Sequence, residues 1–127
     1  MILFYDLNKV LLQNRKKISK YGEEYGFFGG GVEEGEEIEE TLKREVKEEL
    51  GIDLKNYKLF KKFTKFYPEL KKEVERNIFL SPIPDLNKVK VKEGKLALIN
   101  WKEAFNLKFV PGDADLLKEI FSWLGLK

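Results

Sequence analysis

The residues with the most chemical potential lie between Gly30 and Ile52, in the run Gly-Gly-Val-Glu-Glu-Gly-Glu-Glu-Ile-Glu-Glu-Thr-Leu-Lys-Arg-Glu-Val-Lys-Glu-Glu-Leu-Gly-Ile. Ile38, Leu42, Val46 and Leu50 recur every four residues and Gly51 follows as a stop signal, which predicts a helix over 37–50. At about 100° per residue, Glu49 falls roughly 20° from Ile38, inside the apolar arc, with Glu45 on its edge and Glu48 about 60° beyond. Three carboxylates therefore share one side of the helix, and one of them points where apolar residues point. Like charges at i,i+4 repel, and a buried ionised carboxylate needs a partner. A hard divalent cation such as Mg²⁺ or Mn²⁺, which takes oxygen ligands, would resolve both problems. The competing reading is a solvated acidic face, and the phase of Glu49 weighs against it. Gly29, Gly30 and Gly31 let the backbone ahead of the helix turn tightly and approach a ligand.

What the sequence lacks narrows the chemistry. It has no Cys and no His. Disulfides, thiolate metal sites, thiol nucleophiles and imidazole acid–base catalysis are excluded, so carboxylates, Lys or metal-bound water must carry any proton transfer. Together with a start (Met1 to Asp6) that lacks a basic n-region, these absences lead to the expectation of a cytoplasmic protein. No apolar run reaches the roughly 20 residues that span a bilayer, so no membrane partner is expected. Charged residues make up 36% of the 127, yet the net charge is only +2. A bulk nucleic-acid binder would show a stronger basic excess, so no stable nucleic-acid partner is expected. Residues 33–49 hold nine Glu, whereas residues 55–72 hold seven Lys, the one stretch that could touch RNA. Lys accounts for all the basic residues except Arg15, Arg44 and Arg76, a Lys and Glu richness also seen in hyperthermophile proteins.

The elements that must position these groups follow from pattern. Residues 2–5 and 9–13 are β-prone runs around Asp6-Leu7-Asn8 and predict a hairpin. A charged loop covers 14–24, and Tyr25-Gly26-Phe27-Phe28 is a short aromatic segment. After the 37–50 helix come strands over 57–67 and 73–80 around Pro68-Glu69-Leu70. The first of these has imperfect alternation, which leaves its register open. A loop follows from Ser81 to Gly94, then a strand from Leu96 to Trp101. Pro111-Gly112-Asp113 introduces a last helix with Leu116, Leu117, Ile120, Phe121 and Leu124 on one face. The length fits one domain over 1–127, and the order predicts an α+β fold with one mixed sheet packed against helices.

The acidic segment resembles a known pattern. Gly30, five residues, Glu36, seven residues, Arg44-Glu45-Val46, one residue, Glu48-Glu49, one residue, then Gly51-Ile52 is similar to the complete Nudix box, with every fixed and aliphatic position filled. The resemblance covers 23 of 127 residues directly. The lead-in Phe27-Phe28-Gly29-Gly30-Gly31-Val32-Glu33 is also similar, with Phe28 where the family often has Pro. The resemblance implies an α/β/α sandwich and a pyrophosphohydrolase that uses Mg²⁺ or Mn²⁺ on a nucleoside diphosphate linked to another moiety. By position, Glu45, Glu48 and Glu49 look like the metal-binding carboxylates, and Gly30 like the glycine whose carbonyl completes the site. Arg44 looks like the arginine that holds the catalytic carboxylate, and Glu36 its helix-side partner. Glu45 and Glu93 both remain candidates for the general base.

Outside the box the chain runs like the MutT-type branch, which acts on modified purine nucleoside triphosphates. That resemblance implies a metal-assisting role for Glu93, beside its plainer reading as a surface acid. It also implies a base-reading role for Asp113 or Asp115 at the start of the last helix, where Asp113 reads equally as an N-cap. Arg15, beside Lys16 and Lys17, could clamp a phosphate or belong to a basic surface cluster. Phe27, Tyr25 and Phe79 could stack on a base or pack in the core. The leading expectation is a nucleoside triphosphate pyrophosphohydrolase releasing pyrophosphate, as a monomer or homodimer. The alternatives are an ADP-ribose or nucleoside-diphosphate-sugar hydrolase, and a non-catalytic nucleotide-binding module.

Overall fold

The structure is a computed structural model, and it describes residues 1–18, 24–29, 37–68, 71–109 and 112–126. The hairpin forms as its sequence predicts. Strand β1 (Ile2–Tyr5) pairs antiparallel with β2 (Lys9–Asn14). Asp6 closes the turn: its carboxylate accepts the Asn8 and Lys9 N–H groups at 2.7 and 2.6 Å, the Asx device that makes Asp a turn residue. Beyond β1, the same edge of β2 pairs with the short strand β3 (Tyr25–Gly26).

Strands β4 (Lys58–Tyr67) and β5 (Lys72–Pro82) form a long antiparallel hairpin. The register shifts between Leu59 and Lys61. One inserted residue there reverses the side-chain phase, which is why alternation in this stretch reads imperfectly. Glu69 and Leu70, expected in its turn, lie outside the described residues. β5 runs parallel to β1, and β6 (Lys95–Asn100) runs antiparallel along the other edge of β2. The result is one six-stranded mixed sheet with β1 and β2 at its centre.

Helices cover both faces. Helix α1 (Ile38–Leu50) begins one residue later than expected because Glu37 is its extended N-cap, and Gly51 closes it by donating to the Lys47 carbonyl at 2.9 Å. It buries Leu42, Val46 and Leu50 against Ile2, Phe4, Leu11, Phe28 and Phe79. Helix α3 (Asp113–Trp123) buries Leu116, Leu117 and Ile120 against Leu3, Val10, Leu12, Ile78 and Leu80. Odd and even residues of each central strand thus enter different cores, which is the period-2 geometry of a strand covered on both faces. At about 1.5–3 kcal/mol per buried aliphatic side chain, these two cores hold the helices in place.

Two elements depart from the sequence-based expectation. Trp101 is not the end of a strand but the first residue of a short helix, α2 (Trp101–Ala104). Its ring is buried and its Nε1–H donates to the Asp6 carbonyl at 2.9 Å, so the tertiary contact turns the chain at Asn100. The loop after β5 contains a 3₁₀ turn at Leu86–Lys88, capped by the Asp85 carboxylate.

That loop ends at Gly94, where φ is +70° and a Cβ would lie 2.4 Å from the Asn14 carbonyl oxygen. Gly94→Ala should therefore lower folding stability by about 1–3 kcal/mol, from left-handed strain and a backbone clash. Chemical denaturation measures this, and a change below about 0.5 kcal/mol would show that the loop closes on β2 less tightly than described.

Candidate active site

The late loop is tied to the end of α1 by two backbone bonds. Lys90 N–H donates to the Leu50 carbonyl at 2.9 Å, and Lys92 N–H to the Glu49 carbonyl at 2.8 Å. These bonds use helix carbonyls that have no partner within the helix, and they place Glu93 beside the helix. A cleft of about 140 Å³ results, lined by Gln13, Glu45, Glu48, Glu49, Lys92 and Glu93. The four carboxylates singled out from sequence therefore share one cavity, contributed by α1 and the loop. The cleft sits at the C-terminal end of α1, where the helix dipole adds further negative potential.

Each carboxylate is held differently. Glu49 is half-buried, and its Oε2 accepts the Gly29 N–H at 2.9 Å. Burial raises its pKa from the ordinary carboxylate value, with Glu45 and Glu93 adding to the rise and the Gly29 N–H opposing it. Gly29 reaches this position with φ +106°, and a Cβ there would press to 3.0 Å from Met1 Cα. Among the described residues Arg44 serves Glu48 and Glu45. Its Nη1 lies 3.1 and 3.2 Å from the two oxygens of Glu48, while Nη2 makes one contact of 3.3 Å to Glu45. The expected grip on Glu45 is thus a single bond, and the two-oxygen contact goes to Glu48. Gly30 and Glu36, expected to supply a carbonyl and a partner for Arg44, lie outside the described residues.

As the side chains stand, no group of three acidic residues among the described ones is gathered to ligate an ion. The donor set nevertheless fits a hard divalent cation: four carboxylates line one cleft, and burial plus crowding already disfavours the charge on Glu49.

The other expected residues fall elsewhere. Arg15 does not line the carboxylate cleft; its Nη1 donates to Gln13 Oε1 at 2.8 Å. Tyr25, Phe27 and Phe79 are all buried, Phe27 in the core under α3 and Phe79 in the core under α1. The Phe27 N–H donates to Asp113 Oδ2 at 3.3 Å. Asp113 is not an N-cap: Gly112 holds that position in left-handed conformation, and no side-chain bond caps α3. Instead Asp113 is 2% exposed and borders a second cleft of about 210 Å³ between α3 and the β4–β5 hairpin, with Lys65, Arg76 and the exposed Asp115. Arg76 Nη2 lies 3.7 Å from Asp113 Oδ1 and also contacts Met1 Sδ.

Gln13 and Arg76 were not singled out from sequence, though each left a signal. Gln13 shares the phase of Leu11 on β2, and Arg76 shares the phase of Ile78 and Leu80 on β5. Both are polar residues at inward positions, the observation that most often marks something other than packing.

Comparison with known proteins agrees with this architecture. The NUDIX domain family model matches residues 1–120. The chain belongs to the Nudix domain family. An 8-oxo-dGTP diphosphatase of Haemophilus influenzae is 34% identical over 67 residues, 53% of this chain and 49% of that protein. The match therefore spans about half the length of this curated relative. Among solved structures, the Escherichia coli ORF135 protein superposes with a TM-score of 0.77 at 23% identity, covering 97% of this chain and 86% of that one. The MutT protein of Bacillus halodurans gives 0.75 at 28% identity, with coverage of 94% and 78%. The Nudix fold is thus an α+β sandwich here, and among the described residues no helix is long and apolar enough to cross a membrane.

Burial moves the Asp113 carboxyl up from its ordinary 3.8 to about 6, against the lowering pull of the Phe27 N–H, Arg76 and Lys65. An acid with a raised folded pKa holds its proton more tightly when folded. Its contribution is present below the unfolded pKa and is lost as pH rises through the folded one. The melting temperature of Asp113→Asn relative to wild type should therefore climb between about pH 4 and pH 7. A difference that stays flat across this window would show that Asp113 is ionised throughout.

Proposed function

We propose that this Nudix chain, as one domain over 1–127, is a divalent-metal-dependent pyrophosphohydrolase. Its substrate is a nucleoside diphosphate linked to another moiety, foremost a nucleoside triphosphate, oxidised forms included. Water attacks a phosphorus of the phosphoanhydride bridge, the bridging bond breaks, and monophosphate and pyrophosphate leave. The observation that carries this reading is the cleft of Glu45, Glu48, Glu49 and Glu93, with Glu49 half-buried at the negative end of a helix.

Glu45, Glu48 and Glu49 would hold Mg²⁺ or Mn²⁺, with the Gly30 carbonyl by family resemblance. The bound ion supplies charge neutralisation on the phosphate oxygens and a more acidic water. Arg44 keeps Glu45 and Glu48 oriented, engaging one oxygen of Glu45 and both of Glu48. The carboxylate oxygens of Glu45 and Glu93 are the proton acceptors the cleft offers, and no His or Cys is needed. Arg15 supplies a cation for the phosphate chain. The second cleft supports a base end, where Asp113 and Arg76 present an acceptor and a donor side by side. Phe27 contributes by fixing Asp113 through its backbone N–H rather than by stacking. The relation to an 8-oxo-dGTP diphosphatase supports a triphosphate over a nucleoside-diphosphate sugar.

A panel of nucleoside triphosphates, ADP-ribose and nucleoside-diphosphate sugars with Mg²⁺, read by product analysis, tests the assignment. Pyrophosphate plus monophosphate is expected. EDTA should abolish turnover and Mg²⁺ or Mn²⁺ restore it, and full turnover in chelator would sink the mechanism. Glu49→Gln keeps the shape and the acceptor for Gly29 N–H but removes the charge. Turnover should fall roughly a hundredfold or more. The metal-free melting temperature should hold or rise, since desolvation and repulsion from Glu45 are relieved. A solvated surface acid would instead leave turnover unchanged.

A further inference from the structure

Gln13 is a polar side chain in a strand whose preceding residues, Val10, Leu11 and Leu12, are fully buried, and it is itself only 7% exposed. Burying an amide is costly unless its hydrogen bonds are made. Here they are made to two separate parts of the molecule. Nε2 donates to the Glu93 carbonyl at 3.0 Å, and Oε1 accepts from Arg15 Nη1 at 2.8 Å. The amide orientation has no ambiguity: a guanidinium only donates and a carbonyl only accepts, so oxygen must face Arg15 and nitrogen must face Glu93. Among the described residues the buried Arg15 Nε has no hydrogen-bond partner. The bond from Nη1 to Gln13 is thus what fixes this guanidinium at the end of β2.

The loop touches Gln13 again one residue later. A Cβ on Gly94 would stand 3.4 Å from Gln13 Cγ and 2.4 Å from the Asn14 carbonyl oxygen. The loop therefore lies directly on β2, and the Gln13 amide sets where along the strand it rests.

We propose that Gln13 is a positioning residue. It joins the loop that carries Glu93 to the guanidinium of Arg15, so that carboxylate and phosphate-binding cation are held in one fixed relation. This deepens the proposed hydrolase reading and rests on it. Gln13 touches neither substrate nor metal in this role, and acts only through its two neighbours. Gln is suited to the position because one neutral group both donates and accepts. Glu would keep the contact to Arg15 but set a carboxylate against the Glu93 carbonyl and add a fifth acid to the cleft.

The test uses Gln13→Met, which keeps length and volume and removes both hydrogen bonds, and Gln13→Glu, which keeps one. Melting temperatures first establish that both variants fold. Amide hydrogen exchange is then followed at Lys92, Glu93 and Gly94, with Val46 as an internal reference in α1. Exchange should quicken at the loop and not at Val46 in both variants. With a nucleoside triphosphate that the wild type hydrolyses, Gln13→Met should lower kcat/KM about tenfold to a hundredfold. Gln13→Glu should restore KM toward wild type while kcat stays low. Added to the Arg15→Ala, Glu93→Gln double variant, Gln13→Met should cost nothing further, because nothing remains for it to position. An equal loss in both backgrounds would mean that Gln13 serves the fold alone, and unchanged loop exchange would likewise overturn the proposal. A wild type inert toward every nucleotide, with loop exchange responding as described, would instead refute the hydrolase reading and leave the Gln13 linkage standing.

Discussion

The arrangement depends on one awkward group, the half-buried carboxylate of Glu49. It sits one residue before the end of α1, on the side of the helix that packs on the sheet, at the negative end of the helix dipole. Each of these circumstances opposes ionisation, and the surroundings answer only in part. The Gly29 N–H at 2.9 Å offsets some of the cost. That donor can reach Glu49 because Gly29 adopts φ +106° against the start of β1. The carbonyl of Glu49 in turn accepts from Lys92 and so anchors the late loop. One residue thus ties Gly29 before the helix and the loop after it, and the cleft lies between α1, that loop and Gln13.

The sheet divides the work between its faces. The face under α1 carries the carboxylates, and the face under α3 carries Asp113 and Arg76. β1 begins between them: Met1 packs against Gly29 on one side, and its sulfur contacts Arg76 on the other. The Phe27 and Phe28 pair shows how a short segment serves both faces. Phe28 enters the core under α1, Phe27 the core under α3, and the Phe27 N–H fixes Asp113.

Much of this was legible because the deciding signals were periodic. The four-residue recurrence of Ile38, Leu42, Val46 and Leu50 located α1, and the same arithmetic put Glu49 on its packed side, where the structure has it. The hairpin of β1 and β2 and the last helix followed from local pattern and turn chemistry. The misses share a cause, which is that tertiary contact outweighed local preference. Trp101 reads as strand until its indole is seen bonded to Asp6, 95 residues away. The bulge near Phe60 flips a phase that no local window can restore. Asp113 has the type and place of an N-cap, yet its side chain turns to a backbone N–H 86 residues away. Gln13 and Arg76 were passed over because each sits in a stretch whose neighbours read plainly as strand, so their polarity looked incidental.

Charge balance gives the last link from geometry to chemistry. Four carboxylates line the first cleft, while the cations at it are Arg44, paired with Glu45 and Glu48, and Lys92. Among the described residues acids outnumber cations there, and burial raises the pKa of Glu49 while the Met1 ammonium opposes that rise. Two kinds of relief are open to such a site. A proton on Glu49 would remove one negative charge. A divalent cation, as proposed above, would offset more of it, with the carboxylates of α1 and the late loop drawing together around it. The crowding of like charge in the cleft is what such a cation would relieve. Neutralising Glu49 would relieve that crowding and, on the proposed reading, remove the charge that the chemistry uses.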